Sequence, residues 1–282
     1  ENGTGKEMVA RTIHQFSARP EEPFIIINCA AIPEKNIDSE LFGHEKGAFD
    51  QATSKNKGKF EMASGGTLFL DEIGDMNINT QAKILRALES KTFQRIGGGR
   101  TLHMDVRLIA STNKNLEQEI EKGNFRQDLF FRLNVIPILV PPLRERKGDI
   151  PLLVDTFFNK MALQSSKPKK TLSQEALELL EQYNWQGNVR ELKNLVERLY
   201  IMVKGEIIGR EDIPHPYNPD FTSEKSTDPI PLFAMDNLES ARKRFELEFI
   251  RQKVEQNKGD LKVTAKKIGS SVHYIKKRMP SR

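Results

Sequence analysis

The sequence predicts an α/β fold with a parallel sheet, continued by an all-helical lid and a small all-α basic tail. Three observations predict it. Short apolar runs (Phe24–Cys29, Thr67–Leu70, Val106–Ser111) alternate with helical periods, the pattern of parallel strands joined by helical crossovers. A glycine-rich loop opens the first helix, and one strand ends in two adjacent acids. From Ile150 the apolar spacing becomes helical throughout, and beyond Glu239 the charge turns strongly basic.

Composition bounds the rest. A chain of 282 residues has room for two or three domains with their own cores. It contains no 18-residue apolar run, so no membrane span is expected. A single cysteine, Cys29, excludes an internal disulfide and suits a cytoplasmic protein. Residues 239–282 hold 13 Lys and Arg against 5 Asp and Glu, leaving 31 against 34 elsewhere. A near-neutral body with a basic tail points to a polyanion partner for the tail.

Glu1-Asn2-Gly3-Thr4-Gly5-Lys6-Glu7 begins the chain. Glycines let backbone N–H groups curl round an anion, and the positive end of the next helix faces the same point. Lys6 adds a full charge suited to β- and γ-phosphates. The first glycine of G-x-x-x-x-G-K would lie one residue before Glu1, and the usual Ser/Thr after the lysine is Glu7. A helix over Glu7–Phe16 offers Met8, Ile13 and Phe16 to a core, and Phe24–Cys29 reads as a strand buried on both faces. Asn28 at its end is either a turn former or a group near the bound phosphates.

A short helix over Ile37–Phe42 precedes Gly43–Ala52, a loop that either displays Phe49 or tucks it back. The strand before Asp71-Glu72 is the second decisive stretch. Ligands bind at the carboxyl edge of such sheets, so Asp71 is placed to hold Mg²⁺ and Glu72 to polarise water as a general base. Thr80–Glu89 is amphipathic, and Thr92–Met104 reads as a hairpin around Gly97-Gly98-Gly99. Val106–Ser111 leads to Asn113, placed to sense a γ-phosphate. Arg126 and Arg132 lie six apart on a helix, as fingers for a neighbour's phosphate or as surface charges. Asn134–Pro142 reads as an extended apolar strand.

Helices are expected over Pro151–Leu163, Ser173–Gln182 and Asn188–Met202, with Ser173 an N-cap and Arg190 in the first turn of the third. His215–Asp236 reads as a flexible linker. A long helix over Leu238–Glu255 precedes two short ones, Leu261–Ile268 and Val272–Met279, joined by Gly269-Ser270-Ser271. That pattern fits a helix-turn-helix, with Ser271, His273, Tyr274, Lys276, Lys277 and Arg278 as candidate DNA contacts. The expected divisions are 1–149 (core), 150–213 (lid), 214–237 (linker) and 238–282 (helix-turn-helix).

Together these motifs resemble the bacterial enhancer-binding proteins of the NtrC type, AAA+ ATPases that remodel RNA polymerase carrying sigma-54. The family's phosphate loop has the form G-E-x-G-T-G-K-E, which makes Glu7 normal. The resemblance implies ATP and Mg²⁺ as cofactors, Phe69-Leu70-Asp71-Glu72 as the Walker B segment, and Asn28 as the switch that holds Glu72 from water. It implies Asn113 as first sensor, Arg190 in Gly-Asn-Val-Arg-Glu-Leu as second sensor, and Arg126 and Arg132 as fingers acting across subunits. A ring of six or seven copies, double-stranded DNA as a partner of the tail, and a place in a two-component system follow by the same analogy. One departure stands out: the family's G-A-F-T-G-A loop reads Gly47-Ala48-Phe49-Asp50-Gln51-Ala52 here.

The expected function is an ATP-hydrolysing, ring-forming regulator that binds upstream DNA and remodels sigma-54 polymerase. The altered loop keeps a second expectation open, a DNA-binding regulator or repressor that does not act through sigma-54. A chaperone or unfoldase is disfavoured by the basic helical tail.

Overall fold

The computed structural model describes residues 1–50, 52–219, 221, 237–257 and 260–278. By internal contacts the chain divides into two units, Glu1–Phe221 and Thr222–Arg282.

In the first unit, α1 (Lys6–Gln15) leads to β1 (Phe24–Asn28) and α2 (Glu34–Phe42). The two-residue strands β2 (Gly43–His44) and β3 (Asn56–Lys57) pair antiparallel, and α3 (Lys59–Met62) follows. Next come β4 (Thr67–Asp71), α4 (Ile78–Ser90), the hairpin β5 (Thr92–Gln94) and β6 (Thr101–His103), and β7 (Arg107–Ala110). Strands β1, β4 and β7 form the parallel sheet, with β4 central and Asn28 in register with Asp71. All three carboxyl ends therefore lie along one edge. Central β4 has Thr67–Leu70 fully enclosed, whereas β1 at the sheet edge buries only Ile27. The expectation that Phe24–Cys29 is covered on both faces is thus corrected, because an edge strand lacks a neighbour on one side.

Helix α1 also packs differently from its apolar pattern. It buries Ala10 and His14, while Met8 and Phe16 are exposed. His14 bonds the Thr67 hydroxyl at 2.9 Å and lies 5.2 Å from the Phe24 ring, so a small residue and a satisfied polar one let the helix approach the sheet. The core beneath the sheet gathers Leu41, Phe42, Phe60, Leu68, Leu70 and Ile84. Each such side chain contributes roughly 1.5–3 kcal/mol on burial.

After β7 come α5 (Leu116–Glu121) and α6 (Gln127–Leu133). Asn134–Pro142, expected as a strand, is irregular, with Val135, Ile136, Ile138 and Leu139 exposed. A cavity of about 710 Å³ separates it from β7, so it has no ladder to join, and Pro137, Pro141 and Pro142 remove donors.

The lid contains α7 (Ile150–Ser165), α8 (Gln174–Gln182) and α9 (Asn188–Met202). It is not all-helical: β8 (Thr171–Leu172) and β9 (Ile207–Ile208) pair in parallel. Ser173 caps α8 by accepting from the Ala176 N–H. Its core includes Ile150, Phe158, Leu180, Leu192 and Val196 around the enclosed Trp185, whose indole N–H donates to the Leu180 carbonyl.

The second unit holds α10 (Leu238–Gln256), α11 (Leu261–Lys267) and α12 (Val272–Arg278) around Ile250, Ala265 and Ile275. Asp260 caps α11, and the Ser271 hydroxyl accepts from the Tyr274 N–H at the start of α12. No helix among the described residues is long and apolar enough to cross a membrane.

Candidate functional site

The carboxyl edge of the sheet and the loop before α1 meet in one place. Gly5, at φ 103, is the N-cap of α1 without a side-chain cap, which leaves the first N–H groups of the helix open to an anion. Lys6 Nζ lies 3.0 Å from Glu72 Oε1 and donates to the Glu1 carbonyl at 3.0 Å. The other Glu72 oxygen accepts from the Asn113 N–H at 2.9 Å, and Asn113 Nδ2 donates to Asn2 Oδ1 at 2.9 Å. Glu72 has φ 55, in the left-handed region, which turns its side chain out of the β4 line. Loop lysine, paired acids and Asn113 are therefore brought together from three separate stretches.

Asn28 was expected to hold Glu72. Its Nδ2 instead donates to Asp71 Oδ2 at 3.2 Å, while its Oδ1 accepts from the Ala30 and Ala31 N–H groups. The register pairs Asn28 with Asp71 directly, so the neighbouring acid is the one within reach. Ser111, which belongs to none of the motifs above, donates to the other Asp71 oxygen. A polar residue ending a strand beside Asn113 was its available signal. Cys29 is buried at the end of β1, and burial first, then the Asp71 charge, pushes its thiol up to about 12.

The lid leans on the same loop. Gly3 has φ +75, and a Cβ there would stand 2.4 Å from the Gly187 carbonyl oxygen and 3.1 Å from Arg190 Cβ. Arg190 thus starts beside the phosphate loop. Arg144 forks onto the Glu1 carboxylate, and Asn188 donates to it at 3.0 Å. These two partners, Arg144 first, draw the Glu1 carboxyl down to about 2. Arg146 donates to the Thr4 carbonyl. Arg144, Arg146 and Asn188 were not singled out from the sequence. Glu7, the first-turn acid of α1, pairs outward with Arg11 at 2.8 Å.

The two candidate finger arginines differ. Arg126 precedes α6 as its N-cap rather than lying within it, and is bound bidentately by Asp128, with Nε–Oδ1 at 3.0 Å. Arg132, in the last turn of α6, is exposed and donates to the Leu88 carbonyl at 3.3 Å.

Phe49 sits in the loop closed by β2 and β3 and is 43% exposed. His44 packs edge-on against its ring at 5.0 Å, and Ser39 hydrogen-bonds His44 Nδ1 at 2.7 Å. The Gly47 N–H donates to the Ala52 carbonyl, and the Ala52 N–H to the Phe49 carbonyl, so the turn is tight around an exposed Asp50. Gln51 lies outside the described residues. In the second unit Ser271, His273 and Tyr274 are exposed, though the Tyr274 hydroxyl reaches Glu246 of α10. The side chains of Lys276, Lys277 and Arg278, and most of the expected linker, lie outside the described residues.

Comparison with known proteins fits this geometry. Residues 1–139 match the family model of the Sigma-54 interaction domain, and residues 144–229 that of the AAA+ ATPase lid domain. The chain is similar to regulatory protein AtoC of Escherichia coli K12, 44% identical over 271 residues, covering 96% of this chain and 59% of that protein. It is similar to transcriptional regulatory protein ZraR of Salmonella typhimurium, 48% identical over 214 residues, covering 76% and 48%. Among solved structures it resembles NtrX from Brucella abortus in complex with ATP, with TM-score 0.72 and 36% identity over 99% of this chain and 61% of that one. A likeness in fold alone extends to Hsp104, at 19% identity and TM-score 0.51. The chain spans about half the length of the curated relatives it matches.

Proposed function

The chain belongs to the sigma-54-interacting AAA+ ATPases of the NtrC type, and on that premise we propose that it hydrolyses ATP to drive transcriptional regulation from a ring of identical subunits. The observation that carries this reading is the meeting of Lys6, Asp71, Glu72 and Asn113 at the sheet's carboxyl edge, beside the Gly3–Gly5 turn. The loop N–H groups, Lys6 and the start of α1 hold the triphosphate. Asp71, flanked by the Ser111 hydroxyl, offers the hard oxygen donors that suit Mg²⁺, which neutralises phosphate charge when bound.

In this reading the triphosphate draws Lys6 away from Glu72, and Glu72 then orients the attacking water. Asn28 influences Glu72 through Asp71 rather than by touching it. Asn113 and Arg190 read the γ-phosphate from the core and from the lid. Arg132 of the neighbouring subunit supplies the finger, with Arg126 able to join only after parting from Asp128. Such a subunit contact is heterologous and closes into a ring. The helix pair α11–α12 binds DNA through Ser271, His273, Tyr274 and the basic residues 276–278, mainly at phosphates. The setting is the cytoplasm, where ATP, polymerase and DNA are all present.

The decisive test is Glu72→Gln, which should bind ATP as the parent does while turnover falls by about 10²–10⁴-fold; undiminished hydrolysis would remove Glu72 from the role of base.

A second reading, regulation without sigma-54, is favoured by one observation: Asp50 stands exposed beside Phe49, where the family carries threonine. Transcription from a closed sigma-54 promoter separates the readings. ATP-dependent open complexes formed by the parent chain support remodelling. Open complexes that form only after Asp50→Thr and Gln51→Gly support the second.

A further inference from the structure

The side chain of Asn188 is wholly enclosed, and its backbone has φ 53. Asparagine and glycine tolerate that left-handed conformation best. The backbone alone would accept glycine, so what distinguishes asparagine here is its amide. All of that amide is engaged. Oδ1 accepts from the Leu143 N–H at 2.8 Å. Nδ2 donates to Glu1 Oε2 and to the Asn2 carbonyl, each at 3.0 Å. Leu143 opens the turn that carries Arg144 and Arg146, which themselves reach Glu1 and Thr4. One buried side chain thus joins the first turn of α9, the start of the lid and two residues of the phosphate loop.

We propose that Asn188 is a positioning residue for the nucleotide: its amide fixes Glu1 and Asn2 against the lid, so the loop is held in the curl that receives a polyphosphate. The inference deepens the ATP-binding reading and rests on it. Bonds to a carbonyl and a carboxylate on one side, and to a backbone N–H on the other, leave the loop no freedom to flatten while the lid stays in place. Arg144 and Arg146 reinforce the hold from the surface. Asn188 does this from within, where an unmade hydrogen bond has no water to replace it.

Asn188→Asp separates positioning from mere stability. Aspartate keeps the size and the acceptor for the Leu143 N–H, but loses both donors and sets a carboxylate against that of Glu1. In the full chain, the KM for ATP and the affinity for ADP should weaken by about tenfold or more, the loss expected for one or two hydrogen bonds, while kcat at saturating ATP stays near that of the parent. In a Glu1→Gln background, where glutamine can donate to the new carboxylate, Asn188→Asp should cost much less affinity than it does in the parent, with the lost Arg144 pair common to both members of that comparison. If Asn188→Asp does not fold, Asn188→Gly, which suits the positive φ, should show the same rise in KM. An unchanged KM, a fall in kcat and Tm without a change in KM, or a loss from Asn188→Asp as large in the Glu1→Gln background as in the parent would overturn the inference. A parent chain that binds no ATP would instead defeat the ATPase reading itself.

Discussion

Gly3→Ala tests the contact between loop and lid most directly. Gly3 has φ +75, and its missing Cβ would lie 2.4 Å from the Gly187 carbonyl oxygen and 3.1 Å from Arg190 Cβ. Alanine in the left-handed region costs about 1–2 kcal/mol. The carbonyl is backbone and cannot swing aside as a flexible side chain would, so the lid must retreat from the loop. Strain alone should lower the Tm of a unit this size by about 2–8 °C. If the same strain is felt when nucleotide binds, affinity falls by about 5–30-fold. Scanning calorimetry and titration with a fluorescent ADP analogue measure the two effects separately. A Tm within a degree of the parent, together with affinity within twofold, would show that the lid does not rest on Gly3.

Two further outcomes are expected. Arg132→Ala should abolish turnover, and mixing it with Lys6→Ala subunits should restore activity at those interfaces that pair an intact Lys6 with an intact Arg132; no restoration at any ratio would count against fingers acting in trans. The Glu1 carboxyl, drawn to about 2 from an ordinary 4.5 by Arg144 and Asn188, is a group whose folded pKa is depressed. Its contribution is therefore complete above pH 4.5 and lost as pH falls toward 2. The Tm difference between the parent and Glu1→Gln should hold constant from neutral pH down to about 5 and shrink below 4.5; a difference that widens in acid would reverse the assignment.

The parts of the site legible in the sequence are those in which residue type and spacing are themselves the mechanism. Gly3, Gly5 and Lys6 announce an anion-binding turn because few other uses need those residues at that spacing. Asp71 and Glu72 announce themselves by ending an apolar strand. Contacts that depend on register or long-range closure left no such mark. Asn28 faces Asp71 because β1 and β4 align at that residue, a match that the sequence of either strand does not contain. Asn188 reaches Glu1 across 187 positions, and its buried amide resembles an ordinary N-terminal helix residue until the lid is in place. Asn134–Pro142 misled: it carries a real apolar run, but a cavity lies between it and β7 and three prolines remove donors, neither of which an apolar pattern reveals. Helix α1 misled for the opposite reason: its core face uses Ala10 and a bonded His14, neither of which reads as apolar weight.

The same distinction bears on the altered loop. The base of the loop is clasped by contacts from several sides. Arg95, whose side chain is only 9% exposed, joins Glu45 at 2.7 Å to Glu61. The Glu45 N–H donates to the Ile96 carbonyl, and the Ile96 N–H to that of Gly43. Gly97, at φ +70, lets Ala48 come so close that a Cβ would lie 2.7 Å from it. His44, fixed by Ser39, supports the Phe49 ring. None of these groups is Asp50, and among the described residues no contact joins Asp50 to the phosphate loop. Asp50 adds a negative charge beside an exposed aromatic ring and takes no part in the clasp at the base. Whether these two positions redirect the choice of partner is what the paired substitution Asp50→Thr and Gln51→Gly asks in the promoter assay.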